Sequence, residues 1–341
     1  MTAQLQVENL RVHLPVEGRS RPVLHEVTFE VAAGEALGLV GESGSGKSMT
    51  ARAIGRLLPG AARVEGAIRF DGADVLGFSG DALRRYRSGG VSMIFQDPRA
   101  HINPVRTVGD FLTEGMRTHQ RLSRRDATRR GVELLADVGI DDGAQRMAQF
   151  PHELSGGLLQ RVMIAAALAA EPEMLLADEP TTALDVTTQS EVMAILDRMR
   201  RDRGMAMVFI THDLELAAAV CDRTAVMYAG SIVEQNTSAQ LHSHPLHPYT
   251  QGLLQARPDI ATTTRLVAIP GQPLSAYEVG DGCPFQARCR YRTDVCGTSV
   301  PPMRPWHGGS TRCLRIAEVF DQLIVPDRQP RSPGVEEASR G

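Results

Sequence analysis

The chain has 341 residues, enough for one large core and a smaller satellite, and its composition is that of an ordinary globular protein, 42% hydrophobic and 23% charged. A formal net charge of −3 with no basic block argues against a phosphate-tracking nucleic-acid binder. "MTAQLQVENL" has neither the basic nor the apolar region of a secretory signal, and the longest apolar run, "VMIAAALAA" (Val162–Ala170), falls far short of the roughly 20 residues that cross a bilayer, so neither export nor membrane spanning is expected.

In chain order, "LQVENLRVHL" and the alternating Val27, Phe29 and Val31 read as strands with one buried face. "ALGLVG" reads as a fully buried strand entering a glycine-rich turn. From Gln96 to Ser155 the pattern is helical, with a capping-box-like "SRRD" (Ser123–Asp126) ahead of Val132, Leu135 and Val138. "MLLAD" (Met174–Asp178) and "MAMVFIT" (Met205–Thr211) are two more buried strands separated by helical stretches, an alternation that implies a parallel sheet covered on both faces. "VMYAGSIVEQ" (Val226–Gln235) reads as a terminal hairpin, and the prolines of "HSHPLHPYT" end the regular pattern. A cysteine-bearing segment is expected to follow as a separate small unit, and from Pro326 the tail has too little apolar content to fold and is expected to be disordered.

Chemistry enters with "GESGSGKS" (Gly41–Ser48), which fits G-x-x-x-x-G-K-[ST] and lies between a buried strand and a helix. Backbone N–H groups of Gly41, Ser43, Gly44, Ser45 and Gly46 can converge on phosphate oxygens at the helix N-terminus. Lys47 adds a cation for the β- and γ-phosphates, and Ser48 can ligate Mg²⁺. "EMLLADEP" then ends an apolar strand in two carboxylates: Asp178 can hold the Mg²⁺ shell, and Glu179 is placed to polarise the water that attacks the γ-phosphate. Adjacent carboxylates on a turn are commonly just solvated charge; the strand and the upstream loop reverse that expectation.

"PHELSGGLLQR" (Pro151–Arg161) lies between these two motifs, and with it the chain resembles the ATP-binding cassette family. That family's order is phosphate loop, glutamine loop, LSGG signature, D-E-P strand, "ALD" loop and late histidine. The matching positions are Gln96 in "MIFQDP", Ser155, Gly156 and Gly157 in the signature, Ala183 to Asp185, and His212 in "ITHD". Singly, Gln96 and His212 would read as ordinary polar residues at strand ends. The resemblance makes Gln96 a γ-phosphate sensor and Mg²⁺ ligand, His212 the group that orients the transition state, and the signature and Asp185 contributors to an ATP held by a second subunit. The finer resemblance is to the oligopeptide, dipeptide and nickel branch of the importers, carried by "MIFQDPRAHINPVRTVGD", "DEPTTALDVTTQ" and "HPYTQGLL", with "IPGQP" and "GCPFQARC" matching that branch's C-terminal extension. Two departures stand out. Where the family places an aromatic on the first strand to stack on adenine, "LRVHLP" offers only His13 or Leu14, and "GGLLQR" puts Leu159 where a basic residue is usual.

The resemblance implies an α/β P-loop cassette with an N-terminal antiparallel β subdomain, a parallel-sheet core, a helical subdomain and a small cysteine-rich C-terminal domain. The expected division is 1–95 and 160–240 for the nucleotide-binding core, 96–159 for the helical signature subdomain, 241–325 for the extension and 326–341 for the tail. The implied function is hydrolysis of ATP with Mg²⁺ to power a peptide importer at the cytoplasmic face of the membrane. Its partners would be a second, related cassette, two transmembrane permease subunits and an extracytoplasmic binding protein, with no nucleic acid. A soluble cassette ATPase of translation or DNA repair is the rival reading. Such proteins typically carry two cassettes or a long coiled coil, whereas this chain has one phosphate loop and no sustained heptads before the signature. A redox or metal-storage protein would leave the ATPase motifs unexplained.

Cys283, Cys289, Cys296 and Cys313 are spaced C-x5-C-x6-C-x16-C in a segment with little apolar content. Disulfides are disfavoured without export, and the spacing is unlike the close pairs of structural zinc sites. Four thiolates around an iron–sulfur cluster fit better, and the resemblance agrees, since some members of this branch carry a [4Fe-4S] cluster in the extension. Zinc, disulfides and free thiols remain the alternatives.

Overall fold

The structure is a computed structural model that describes residues 3–181, 184–256 and 268–324. Ala183 and the 326–341 tail lie outside the described residues. Two long strands open the chain, β1 (Ala3–Val16) and β2 (Arg19–Ala32), and pair antiparallel. Next come β3 (Ala36–Val40), the phosphate loop and α1 (Lys47–Ile54), after which β4 (Arg63–Phe70) and β5 (Ala73–Asp74) return to the first sheet in the order β2-β1-β4-β5. This is the expected antiparallel N-terminal subdomain.

After α2 (Gly80–Arg85) and β6 (Val91–Ile94) come four helices, α3 (Val108–Thr118), α4 (Arg124–Asp137), α5 (Gly143–Arg146) and α6 (Gly156–Ala169). Ser123 caps α4 by accepting from Asp126 N at 3.1 Å, so the "SRRD" reading locates that helix start. The chain then alternates β7 (Met174–Asp178), α7 (Val186–Arg203), β8 (Ala206–Thr211), α8 (Leu214–Val220), β9 (Arg223–Tyr228) and β10 (Ser231–Thr237). In the second sheet β6, β7, β8, β3 and β9 run parallel, and β9–β10 is the antiparallel hairpin expected from "VMYAGSIVEQ".

Period-2 alternation sorts these buried strands onto two cores. Met174 and Leu176, Ala206, Val208 and Ile210, with Leu37 and Leu39, face the antiparallel sheet. Leu175, Ala177, Met207 and Phe209 face the helices, where Leu159 is also fully buried. The basic residue usual at that position is thus replaced by one that the helical core absorbs.

The C-terminal segment differs from the expected separate unit. After α9 (Ser238–Ser243) and α10 (Pro248–Gln255) it forms the hairpin β11 (Arg304–Trp306) and β12 (Gly309–Thr311), then α11 (Ile316–Leu323). β12 pairs with β10, so the segment extends the core sheet to the order β11-β12-β10-β9-β3-β8-β7-β6. The cause is an open strand edge on β10 that has backbone donors and acceptors to satisfy.

Candidate nucleotide site and thiol pocket

The phosphate loop turns between β3 and α1 because its glycines permit it. Gly46 caps α1 at φ +105°, where a Cβ would also lie 2.7 Å from Leu24 Cδ2. At Gly41 a Cβ would lie 2.2 Å from Met227 O, so that position is closed to any side chain. Lys47 is buried, and its Nζ donates to Gly41 O at 2.8 Å and Glu42 O at 3.0 Å. Burial lowers its pKa, opposed by the carboxylates of Glu179, Asp178 and Glu42.

Ser48 Oγ donates to Asp178 Oδ1 at 2.8 Å, bringing the two expected Mg²⁺-shell groups into contact. Burial raises the Asp178 pKa, and the Ser48 hydrogen bond works against that rise. Beside them Gln96 Nε2 donates to Glu179 Oε2 at 3.0 Å, and His212 Nδ1 lies 3.7 Å from the same oxygen. Glu179 itself has φ +45°, a left-handed backbone held by its N–H donating to Ile210 O at 3.0 Å. Groups from three strand ends therefore converge at one point above the loop.

The cavity here is lined by Ser43, Gly44, Gly46, Lys47 and Ser48, by Gln96 and Glu179, and on its outer wall by Leu14, Val23 and Ser275–Tyr277. Ser45 is buried behind the loop. His13 is not part of the wall. Neighbouring residues of a strand point to opposite faces, and it is Leu14 that β1 turns toward the cavity. Of the two residues that the first strand offers, Leu14 and not His13 is among the lining residues, and His13 Nδ1 is buried without a hydrogen-bond partner.

Ser155, Gly156 and Gly157 do not line this cavity either. Ser155 caps α6, its Oγ accepting from Leu158 N at 3.3 Å, and stays exposed. Asp185 caps α7, and its pKa is lowered by the hydrogen bonds it accepts from Thr188. The two caps are neighbours, since a Cβ on Gly157 would lie 3.0 Å from Thr188 Cγ2. One chain thus presents a phosphate cradle in one place and a helix start bearing the signature in another.

Cys283, Cys289, Cys296 and Cys313 line a single small pocket, walled by His247 and Phe285. All four are free thiols, so no disulfide links them. Burial pushes Cys283 up to about 11 and Cys313 up to about 12, and raises Cys289 as well. Each of these three sulfurs has a backbone amide two residues on as hydrogen-bond partner: Phe285, Tyr291 and Arg315 respectively. Among the described residues no three His, Cys, Asp or Glu side chains are grouped so as to hold a metal ion.

Two contacts had no signal in the sequence. Arg288 donates to both Glu42 carboxylate oxygens, and Tyr249 Oη accepts from Glu42 N at 2.9 Å, so the extension reaches the second residue of the phosphate loop. Glu42 occupies a position that the loop pattern leaves unspecified, and its partners are more than 200 residues away.

This fold and loop define an ATP-binding cassette ATPase. A family model described as "ABC transporter" matches residues 24–182, and one described as "Oligopeptide/dipeptide transporter, C-terminal region" matches 233–296. The chain belongs to the family of oligopeptide transport ATP-binding proteins. It is 41% identical to OppD of Escherichia coli (strain K12) over 318 residues, covering 93% of this chain and 94% of that protein. Identity to OppD of Mycobacterium tuberculosis is 44% over 306 residues, 89% of this chain and 50% of that one. Among solved structures, the cassette MJ0796, a dimer bound to ADP and Pi, superposes with a TM-score of 0.62 at 26% identity, covering 69% of this chain and 98% of that one. CbiO1 from Clostridium perfringens gives 0.61 at 26% identity, covering 71% and 91%. Among the described residues no helix is long and apolar enough to cross a membrane.

Proposed function

We propose that the chain is the ATP-hydrolysing subunit of a peptide importer, placed at the cytoplasmic face of the membrane. It would work with a second, related cassette, two permease subunits and an extracytoplasmic binding protein. The observation that carries this is the convergence of Gln96, Glu179 and His212 beside the Ser48–Asp178 pair, with the signature lying outside the same cavity. The loop amides and Lys47 bind and orient the phosphates, and Glu179 takes a proton from the attacking water while Gln96 and His212 position it. Ser48, Asp178 and Gln96 would hold Mg²⁺, which would supply charge neutralisation at the phosphates. Ser155 to Gly157 and Asp185 of the opposite cassette would close the site. In this reading 1–95 with 160–240 is the core, 96–159 receives the permease, and 241–325 is the extension. The match of residues 233–296 to a peptide-transporter C-terminal region favours this over a soluble ATPase of translation or DNA repair.

For the thiols, we propose a structural [4Fe-4S] cluster held by Cys283, Cys289, Cys296 and Cys313. What supports this is that the four sulfurs line one apolar pocket and that amides hydrogen-bond three of them, the kind of contact that stabilises cluster sulfurs; in this structure the side chains are not drawn together as a ligand set. Its chemistry here would be cross-linking.

The importer reading is tested by Glu179→Gln in the membrane complex. Hydrolysis should slow by about 10²–10⁴-fold while ATP still binds, and the tagged chain should bring down two integral membrane proteins. Wild-type hydrolysis by this variant would remove Glu179 from its role. Recovery with ribosomes or DNA in place of membrane proteins would overturn the importer.

A further inference from the structure

A triphosphate seated on the loop between Gly44 and Ser48 would carry its base outward, toward the wall formed by Leu14, Val23 and Tyr277. Leu14 and Val23 are aliphatic and offer a base only apolar area. Among the described residues lining the cavity, Tyr277 alone has an aromatic ring. It is 44% exposed, so the ring remains accessible to a ligand.

The ring's position is set by the backbone that precedes it and by one cation. Tyr277 lies in a single 3₁₀ turn, Ala276–Glu278, that packs on β2. His25 Nε2 donates to Ala276 O at 2.7 Å, and Leu274 N donates to Tyr228 Oη at 3.2 Å, so the backbone leading into the ring is tied to the cassette at two points. The Arg21 guanidinium stands over the ring, 5.1 Å from its centroid. A cation on one side of a ring steadies it while leaving the opposite face usable for stacking.

We propose that Tyr277 stacks on the adenine of bound ATP, so that the base is held by the C-terminal segment and the phosphates by the loop of the same chain. This rests on the nucleotide-site reading above and adds to it the residue that replaces the missing first-strand aromatic. Tyr277 is a binding residue in this scheme and takes no part in the proton transfers.

The test is calorimetric titration of the full-length chain with Mg-ATP and, separately, with Mg-tripolyphosphate, which has the phosphates and no base. Tyr277→Ala should raise the ATP dissociation constant about three- to tenfold, the size of a stacking contact, and leave the tripolyphosphate constant unchanged. Tyr277→Phe should restore ATP affinity, since the ring face and not the hydroxyl makes the contact. An unchanged ATP constant in Tyr277→Ala would overturn the assignment, as would an equal loss for both ligands, which would mean a disturbed segment. A wild-type chain that binds neither ligand would remove the nucleotide reading itself, an outcome distinct from loss of the stacking contact alone.

Discussion

The guanidinium of Arg288 grips the Glu42 carboxylate with two hydrogen bonds, Nη1 to Oε2 at 2.6 Å and Nη2 to Oε1 at 3.0 Å, and so ties the thiol-bearing segment to the phosphate loop. Its Nε donates to Pro270 O at 2.9 Å, and the side chain is almost wholly buried. The hydrogen bonds to Glu42 hold its pKa above the ordinary arginine range. A bidentate pair of this kind fixes orientation as well as distance.

Arg288→Ala should therefore cost about 1.5–3 kcal/mol of stability and weaken ATP binding, because it frees the loop at Glu42. Arg288→Lys keeps the charge but lacks the fork and should fall between the two. Thermal unfolding and ATP titration check this. A variant that melts earlier yet binds ATP as before would show that the brace stops short of the loop.

Lys47→Ala and Ser155→Arg should fail differently. Lys47→Ala deletes the cation facing the phosphates and should weaken binding to the isolated chain. Ser155→Arg acts away from the chain's own cavity and should leave that affinity nearly intact while stopping turnover in the assembled pair. Equal loss of monomer affinity in both would contradict a site shared between two cassettes.

Anaerobic purification should yield a brown protein with about four irons per chain, bleached by Cys289→Ser, which should also expose the C-terminal segment to protease. A colourless protein with one tightly bound zinc would transfer the thiols to zinc. No metal at all would leave them as unligated thiols.

Stability should decline between about pH 6.5 and 8, and the decline should disappear in Glu234→Gln. Glu234 is fully buried on β10, accepts from Leu246 N at 2.8 Å, and has its pKa pushed up from 4.5 to about 8 by burial. Its contribution is complete below 4.5 and is lost as pH rises toward 8, since the unfolded carboxyl ionises first. Neighbouring His247 is pushed down from 6.5 to about 3 by burial, so its contribution is complete above 6.5 and lost toward 3. Between 4.5 and 6.5 the two oppose each other; above 6.5 only the Glu234 slope remains. Chemical denaturation across this range provides the measurement.

The phosphate loop, Asp178 and Glu179 were legible because each is a local pattern, a buried strand followed at once by the chemistry. The buried strands β7 and β8 were legible for the same reason, through their unbroken apolar runs. His13 against Leu14 was a matter of one residue of register, which moves a side chain to the other face and which composition cannot resolve. Tyr277, and the contact of Arg288 with Glu42, were not legible because both residues sit in short turns without periodicity, and only the folded chain brings them to the loop. The pairing of β12 with β10 was hidden likewise, since three-residue strands carry no alternation to detect.

That pairing makes the cassette something less than modular. Glu234 and Gln235 of β10 are partnered by Thr311 and Ser310, and Thr311 Oγ1 adds hydrogen bonds to Val233 O and Leu246 O. Without the β11–β12 hairpin, the protein would present one edge of β10 with its backbone donors and acceptors unpaired, a template on which another strand could add. A short hairpin far along the chain from the phosphate loop thus closes the edge of the sheet that carries it, so the ATPase core and its extension share one sheet.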